Sequence, residues 1–203
     1  NSYVLNTPQC EHYLFATIRS ADSTGEEHNQ IYKKTILPKR TFNALKELRQ
    51  HYNEINPDIV HIHSSFAGLI VRLLPFIKTH KICYTPHAFS FLREDKKLFT
   101  CIYYGIEKIL SLRTRAYIGC GKYESHLCKK LNRNVSNFSI VNVSDDVSKY
   151  NKEISNKRLV VCMVGRITKQ KGFTVCAAVA QKFDDVEFVW IAGGDLYSTD
   201  YLQ

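Results

Sequence analysis

Leu159-Val160-Val161-Cys162-Met163-Val164-Gly165-Arg166-Ile167-Thr168-Lys169-Gln170-Lys171-Gly172-Phe173 is the stretch on which the reading of this chain turns. Its first six residues form a continuous apolar run, the length and composition of a buried strand. Gly165 ends the run, and beyond Phe173 the apolar residues Val175, Val179 and Ala180 follow a helical pattern. A strand that ends in glycine and hands over to a helix presents unpaired backbone N–H groups, which favour an anion. Arg166 can fork onto two phosphate oxygens, and Lys171, five residues later, adds a second positive charge. The plain alternative is a pair of solvated charges at a helix start. The glycine-flanked spacing after a buried strand favours a diphosphate.

Outward from this stretch, strand and helix patterns alternate almost throughout, which predicts an α/β protein with parallel sheets covered on both faces. Strands are predicted at His12–Ile18, Asp58–His63, Lys81–Thr85, Ala116–Cys120, Phe138–Val143, Leu159–Val164 and Val186–Ala192. Thr41 is placed to cap a helix carrying Phe42, Leu45, Leu48, Tyr52 and Ile55, which Asn56-Pro57 stops. Ser64 is placed to cap the next helix, through Leu69, Ile70, Leu73 and Leu74. Further helices are predicted at Glu94–Leu112 and Tyr123–Leu131. Residues 1–144 read as one Rossmann-like domain and 145–157 as a polar linker, with 158–203 starting a second unit too small to be stable alone.

At 203 residues with 44% hydrophobic composition, the chain can bury a full core. No apolar run reaches the roughly 18–20 residues that a bilayer span needs, and Asn1-Ser2-Tyr3 opens no secretory pattern, so a cytoplasmic protein is expected. The seven cysteines contain no Cys-x-x-Cys pair, which suggests neither a disulfide framework nor a zinc module. Most of them, Cys83 and Cys162 among them, read as small core hydrophobes. The formal charge of +9 and pI near 9.2 favour an anionic partner: nucleic acid, lipid surface or a phosphorylated small molecule. The segment Arg93–Arg115 mixes Lys96, Lys97, Lys108 and Arg113 with Phe99, Tyr103, Tyr104 and Ile106, a composition that suits a helix on a bilayer interface as well as one with a core face and a basic solvated face. The dispersal of charge, with the distinctive residues at strand ends, speaks against a nucleic-acid module.

Three more segments carry the argument further. Asp58-Ile59-Val60-His61-Ile62-His63-Ser64 is followed by Ala67-Gly68, Tyr84-Thr85-Pro86-His87-Ala88 forms a turn after a strand, and Val189-Trp190-Ile191-Ala192-Gly193-Gly194-Asp195 ends another strand in glycines. Together with Gly165-Arg166 and Lys171-Gly172, these resemble the family 4 retaining glycosyltransferases. That family carries Gly-Arg-x-x-x-x-Lys-Gly, Asp-Val-Val-His-x-His and Thr-x-His-Gly motifs on two Rossmann-like domains, the GT-B fold. The resemblance spans roughly Leu14 to Asp195. Ala88 stands where the family has Gly, Asn142-Val143-Ser144-Asp145 only loosely matches its Asn-Gly-Val-Asp, and Tyr123-Glu124-Ser125 replaces its usual Ser-Glu.

The resemblance implies transfer of a sugar from a nucleotide diphosphate donor, most simply a UDP sugar, to a glycan or polyprenyl-linked acceptor in bacterial surface polysaccharide synthesis. Residues 1–144 would be the acceptor side and 158–203 the start of the nucleotide-sugar-binding domain. Arg166 and Lys171 would stabilise the leaving diphosphate in place of a metal, with His87 as a third catalytic residue beside the transferred sugar. Gly165, Gly193 and Gly194 would join them in donor binding, although a tight turn explains the two later glycines equally well. His63 and Ser64 would shape the acceptor cleft. His61 and His63 alternate on one strand and so share a face, where they could chelate a metal, but no carboxylate or cysteine at metal spacing accompanies them. No Asp-x-Asp occurs, so a metal-independent enzyme is expected, located in the cytoplasm or peripherally on the inner face of the plasma membrane. The family's first strand and its Glu-x7-Glu pair have no counterpart here, so the sequence reads as an interior piece of a longer enzyme, inactive alone. A sugar-nucleotide epimerase of the same fold and a basic nucleic-acid-binding module are the competing readings.

Overall fold

Parallel strands cannot be joined by a tight turn, so each must be followed by a crossover, most often a helix. The computed structural model follows that rule over its described residues, which are 4, 6–17, 32–36, 42–92, 99–141, 158–165, 167 and 171–192. The chain divides into two units, Asn1–Ser144 and Asp145–Gln203.

In the first unit, β1 (Tyr13–Phe15) and β2 (Lys34–Ile36) pair in parallel, with Tyr13 opposite Lys34. The first is shorter than the expected His12–Ile18 strand. The second is too short and too polar to show a period-two pattern in the sequence. Helix α1 (Phe42–Ile55) buries Ala44 and Tyr52 and packs Leu48 against the core. It stops where Asn56 turns to φ 44° and its N–H reaches the Tyr52 carbonyl at 2.9 Å, the left-handed close that asparagine tolerates. The expected Thr41 cap lies outside the described residues.

The main sheet has four parallel strands in the order β3 (Val60–His63), β4 (Ile82–Thr85), β5 (Ala116–Gly119) and β6 (Ser136–Ser139). Helices α2 (Ser65–Leu73), α3 (Thr100–Leu110) and α4 (Lys122–Leu131) make the crossovers. Register aligns His63 with Thr85 and Gly119 with Ser139. The residues just beyond these strands therefore gather along one edge, where open α/β sheets bind ligands. The last strand begins two residues earlier than the expected Phe138, since Ser136 and Asn137 lie opposite Ala116 and Tyr117, and Asn137 donates its side-chain amide to the Ser125 carbonyl at 2.7 Å. The expected Glu94–Leu112 helix is described as α3, preceded by Phe99 and followed by a 3-10 turn at Ser111–Arg113.

Ser64 does occupy the N-cap position of α2, but its side chain makes no capping hydrogen bond, which corrects the sequence expectation. Its φ of 74° and the bond from its own N–H to Thr85 O at 3.1 Å commit the residue to the strand junction instead.

The core gathers Tyr52, Ile62, Ile77, Ile82, Tyr84 and Tyr117. Through it runs a buried ion pair. Arg72 Nη2 donates to Glu107 Oε2 at 2.8 Å, Arg72 Nε donates to the Gly68 carbonyl, and the guanidinium lies 4.0 Å from the centre of the Tyr84 ring. Burial and the neighbouring Glu107 carboxylate push the Tyr84 phenol up, so it keeps its proton. Gly68 is required here, because a Cβ would meet Tyr84 Cε2 at 2.6 Å. Cys128 joins this core, but Cys83 is only half-buried, and Cys10, Cys101 and Cys162 are exposed. The expectation that most cysteines are core hydrophobes is therefore corrected: an apolar run in sequence does not say which strand faces are covered.

The second unit contains β7 (Leu159–Val164), α5 (Phe173–Ala180) and β8 (Val186–Ile191). Its strands pair in parallel from Leu159–Val186 to Val164–Ile191. Gly172 starts α5 from a left-handed φ of 74°, a conformation that costs other residues about 1–2 kcal/mol.

Candidate functional site

Beyond β3, β4 and β5, three side chains meet end to end. His63 Nδ1 lies 2.9 Å from His87 Nε2, and His87 Nδ1 lies 3.2 Å from the Cys120 sulfur. The His63 and His87 rings stack at 5.2 Å with 19° between their planes. His61 lies on the same face as His63, their ring centres 4.1 Å apart, and its Nε2 sits 2.9 Å from Thr85 Oγ1. Burial, with smaller contributions from His63 and His87, lowers the His61 pKa to about 4. Burial first, and then the neighbouring His87, lower that of His63, so both rings are held neutral.

The turn carrying His87 is itself clamped. His87 and Ala88 both have left-handed φ values, 51° and 78°. Glu124 Oε1 accepts the Ala88 N–H at 2.7 Å, Glu124 Oε2 accepts the Cys120 N–H at 2.7 Å, and the Ser65 hydroxyl donates to the Ala88 carbonyl at 3.2 Å. One carboxylate on the first turn of α4 thus ties the loops after β4 and β5 together. Beside the clamp opens a hollow of about 450 Å³ lined by His87, Leu92, Cys120, Tyr123, Glu124 and Leu127. Apolar rings and aliphatic groups with an imidazole at the rim can pack a carbohydrate ring and bond its hydroxyls.

In the second unit, Gly165 follows β7, and the side chain of Lys171 passes over it. A Cβ at Gly165 would stand 3.6 Å from Lys171 Cδ, which is ordinary contact. The Gly165 N–H bonds to Ile191 O at 2.9 Å, and its carbonyl accepts the Trp190 indole N–H at 2.7 Å, so Gly165 is fixed to the end of β8. Phe173 meets Trp190 edge-on at 5.2 Å. Lys171 is exposed and extends over Gly165, whose backbone is already held, an arrangement that can receive an anion.

The chain matches no known protein-family profile. It is 31% identical over 159 residues to an uncharacterized 41.2 kDa protein in the cps region of Klebsiella pneumoniae. The matched stretch takes in 71% of this chain and 44% of that protein, so the chain spans less than half the length of its relative.

The tertiary structure brings His63 and His87 together with Ser64 at the adjoining strand end, and it brings Gly165 together with Lys171. Arg166, Gly193 and Gly194 lie outside the described residues. Sequence reasoning missed Cys120, Glu124 and Trp190 as members of these sites. The signal for Glu124 was present: an acidic residue three positions after Gly121, at a helix start, is placed to reach back to a backbone N–H. Nothing in the sequence marks Cys120 as a partner of His87. Among the described residues, no group of three or more His, Cys, Asp or Glu is arranged to hold a metal ion, and no helix is long and apolar enough to cross a membrane.

Proposed function

We propose that this chain is part of a retaining glycosyltransferase of the GT-B type, which moves a sugar from a nucleotide diphosphate, most simply a UDP sugar, to a glycan or polyprenyl-linked acceptor. The observation that carries the reading is the packing of Lys171 over Gly165 at the end of a parallel strand, directly before a helix. When the bond between the anomeric carbon and the diphosphate breaks, negative charge grows on the leaving group, and a fixed cation lowers that barrier. Arg166, next to Gly165 in the sequence, is assigned the bidentate share of this work, and Gly193 and Gly194 the close backbone approach. The imidazole of His63, held neutral by burial, and that of His87 beside it suit recognition of sugar hydroxyls. The genomic setting of the relative, a cps region, supports a role in polysaccharide synthesis.

The same proposal places the protein at an anionic membrane surface. Helix α3 leaves Ile102 and Ile109 exposed, Leu112 follows them in the next turn, and the chain carries a formal charge of +9. Flotation with anionic vesicles that disappears at raised salt would support this contact.

UDP titration tests the central reading, because the sole tryptophan, Trp190, touches Gly165 and reports on that turn. Saturable UDP quenching of Trp190 fluorescence is expected, shifted to about tenfold higher UDP in Lys171→Ala. Tight binding of a single-stranded oligonucleotide with no response to UDP would instead select the basic nucleic-acid-binding alternative.

A further inference from the structure

Along the line Cys120, His87, His63, each contact can be made with its proton on either atom, and the choice decides what the site offers to a ligand. With a single proton on the His87 ring, two arrangements satisfy both contacts. In one, the thiol donates to His87 Nδ1 and His87 Nε2–H donates to His63 Nδ1. In the other, His63 Nδ1–H donates to His87 Nε2 and His87 Nδ1–H donates to the sulfur. We propose that Cys120 is a positioning residue that fixes His87 in the Nε2–H tautomer, and through His87 places the proton of His63 on its Nε2.

The geometry supports this direction. The Cys120 backbone is held through its N–H by Glu124 Oε2, and the His87 backbone through Ala88 by Glu124 Oε1 and Ser65, so the two residues are kept side by side. The 3.2 Å between sulfur and Nδ1 is well inside the range for a thiol contact. Sulfur is a weak acceptor and imidazole nitrogen a strong one, so the shared proton is better used when the thiol donates. Burial first, and then the Glu124 carboxylate, push the Cys120 thiol up, so the proton needed for that donation is retained. The Glu124 carboxylate, which takes the Ala88 and Cys120 N–H groups at 2.7 Å and also lies within reach of the thiol, is the competing acceptor for this proton; a thiol turned to it would leave His87 Nδ1 free to carry its own proton.

This deepens the assignment of His63 and His87 to the candidate site by naming which ring nitrogens carry protons, and it holds whether or not the site handles sugars. A metal ligand at His63 would bind through an unprotonated nitrogen, whereas a hydroxyl or carbonyl acceptor on a carbohydrate suits the N–H.

Long-range proton–nitrogen correlation spectra of the 203-residue chain, labelled at histidine nitrogens, test the proposal; His87 is assigned from the signal lost in His87→Gln. The expected wild-type spectrum shows an unprotonated, hydrogen-bonded Nδ1 and a protonated Nε2 at neutral pH. In Cys120→Ala the pair of signals moves toward a tautomer average, and Cys120→Ser moves it back. A protonated Nδ1 in the wild type overturns the proposal, as does an unchanged single tautomer in Cys120→Ala. Should Cys120→Ala not fold, the wild-type tautomer decides alone. UDP plays no part in this measurement, so its outcome is separate from that of the glycosyl-transfer reading.

Discussion

Glu124 and Ala88, 36 residues apart in sequence, are joined by a 2.7 Å bond from a backbone N–H to a carboxylate, and the other oxygen of the same carboxylate holds Cys120. A left-handed turn that presents a histidine is thus anchored from a neighbouring helix rather than by its own residues. Glu124→Ala removes both acceptors. Because the bonds are partly exposed, the expected loss is about 1–2 kcal/mol in urea unfolding. Faster amide exchange at Ala88 and Cys120 is expected with it, and unchanged exchange at both would refute the clamp.

Ala88 sits at φ 78°, where a Cβ crowds its own backbone. The left-handed conformation costs about 1–2 kcal/mol for a residue other than glycine, while glycine loses more chain entropy on folding, about 0.5–1 kcal/mol. Ala88→Gly is therefore expected to be neutral or stabilising by up to about 1 kcal/mol, the reverse of most glycine substitutions. A clear fall in melting temperature would contradict the strain.

Arg72 and Glu107 are almost wholly buried, and each satisfies the other's charge. Glu107→Gln leaves the guanidinium without a counter-charge inside the core, a loss of about 3–5 kcal/mol by analogy with other broken buried pairs. Gly68→Ala, which drives a methyl into the Tyr84 ring, is expected to cost about 1–3 kcal/mol as overpacking. Circular dichroism melts of both variants check this, and wild-type melting in Glu107→Gln would show that the pair is not closed in solution.

His61 is buried neutral, with its pKa lowered from 6.5 to about 4. The unfolded chain then binds the extra proton between those values, so stability is present above about pH 6.5 and is lost as pH falls toward 4. On the order of 2–3 kcal/mol is at stake over that window. Urea unfolding at pH 7 and pH 4.5 should show a steeper decline in the wild type than in His61→Gln, and parallel declines would exclude the burial of a neutral ring. The lowered His63 acts in the same direction.

Lys171→Ala is expected to weaken UDP binding about tenfold, the loss of one charge-assisted contact. Lys171→Arg should retain most of the affinity, since it keeps the charge over Gly165. Equal affinities for all three proteins would remove Lys171 from the donor site.

Much of the scaffold was legible without coordinates. The continuous apolar run Leu159–Val164 is a strand to the residue, because its length and apolar composition are local properties, although they did not tell that Leu159, Val160, Cys162 and Val164 are exposed. Strand alternation put His61 and His63 on one face, and the short span from Gly165 to Lys171 made their meeting a local matter. The edges of elements were less clear: Lys34–Ile36 is too short for a period to show, and Ser136 and Asn137 are polar residues drawn into a strand by their neighbour.

What only the tertiary structure decided is which distant strand ends coincide. His63, His87 and Cys120 belong to three successive strand ends, and a parallel register that aligns His63 with Thr85 brings them into one line. The clamp by Glu124 and the Arg72–Glu107 pair arise in the same way, between groups 35 or 36 residues apart. Periodicity is a local property of a chain, set by whether a residue faces oil or water one turn or one pleat away. Register and helix docking are settled by the packing of whole layers, and they determine which polar groups share a proton.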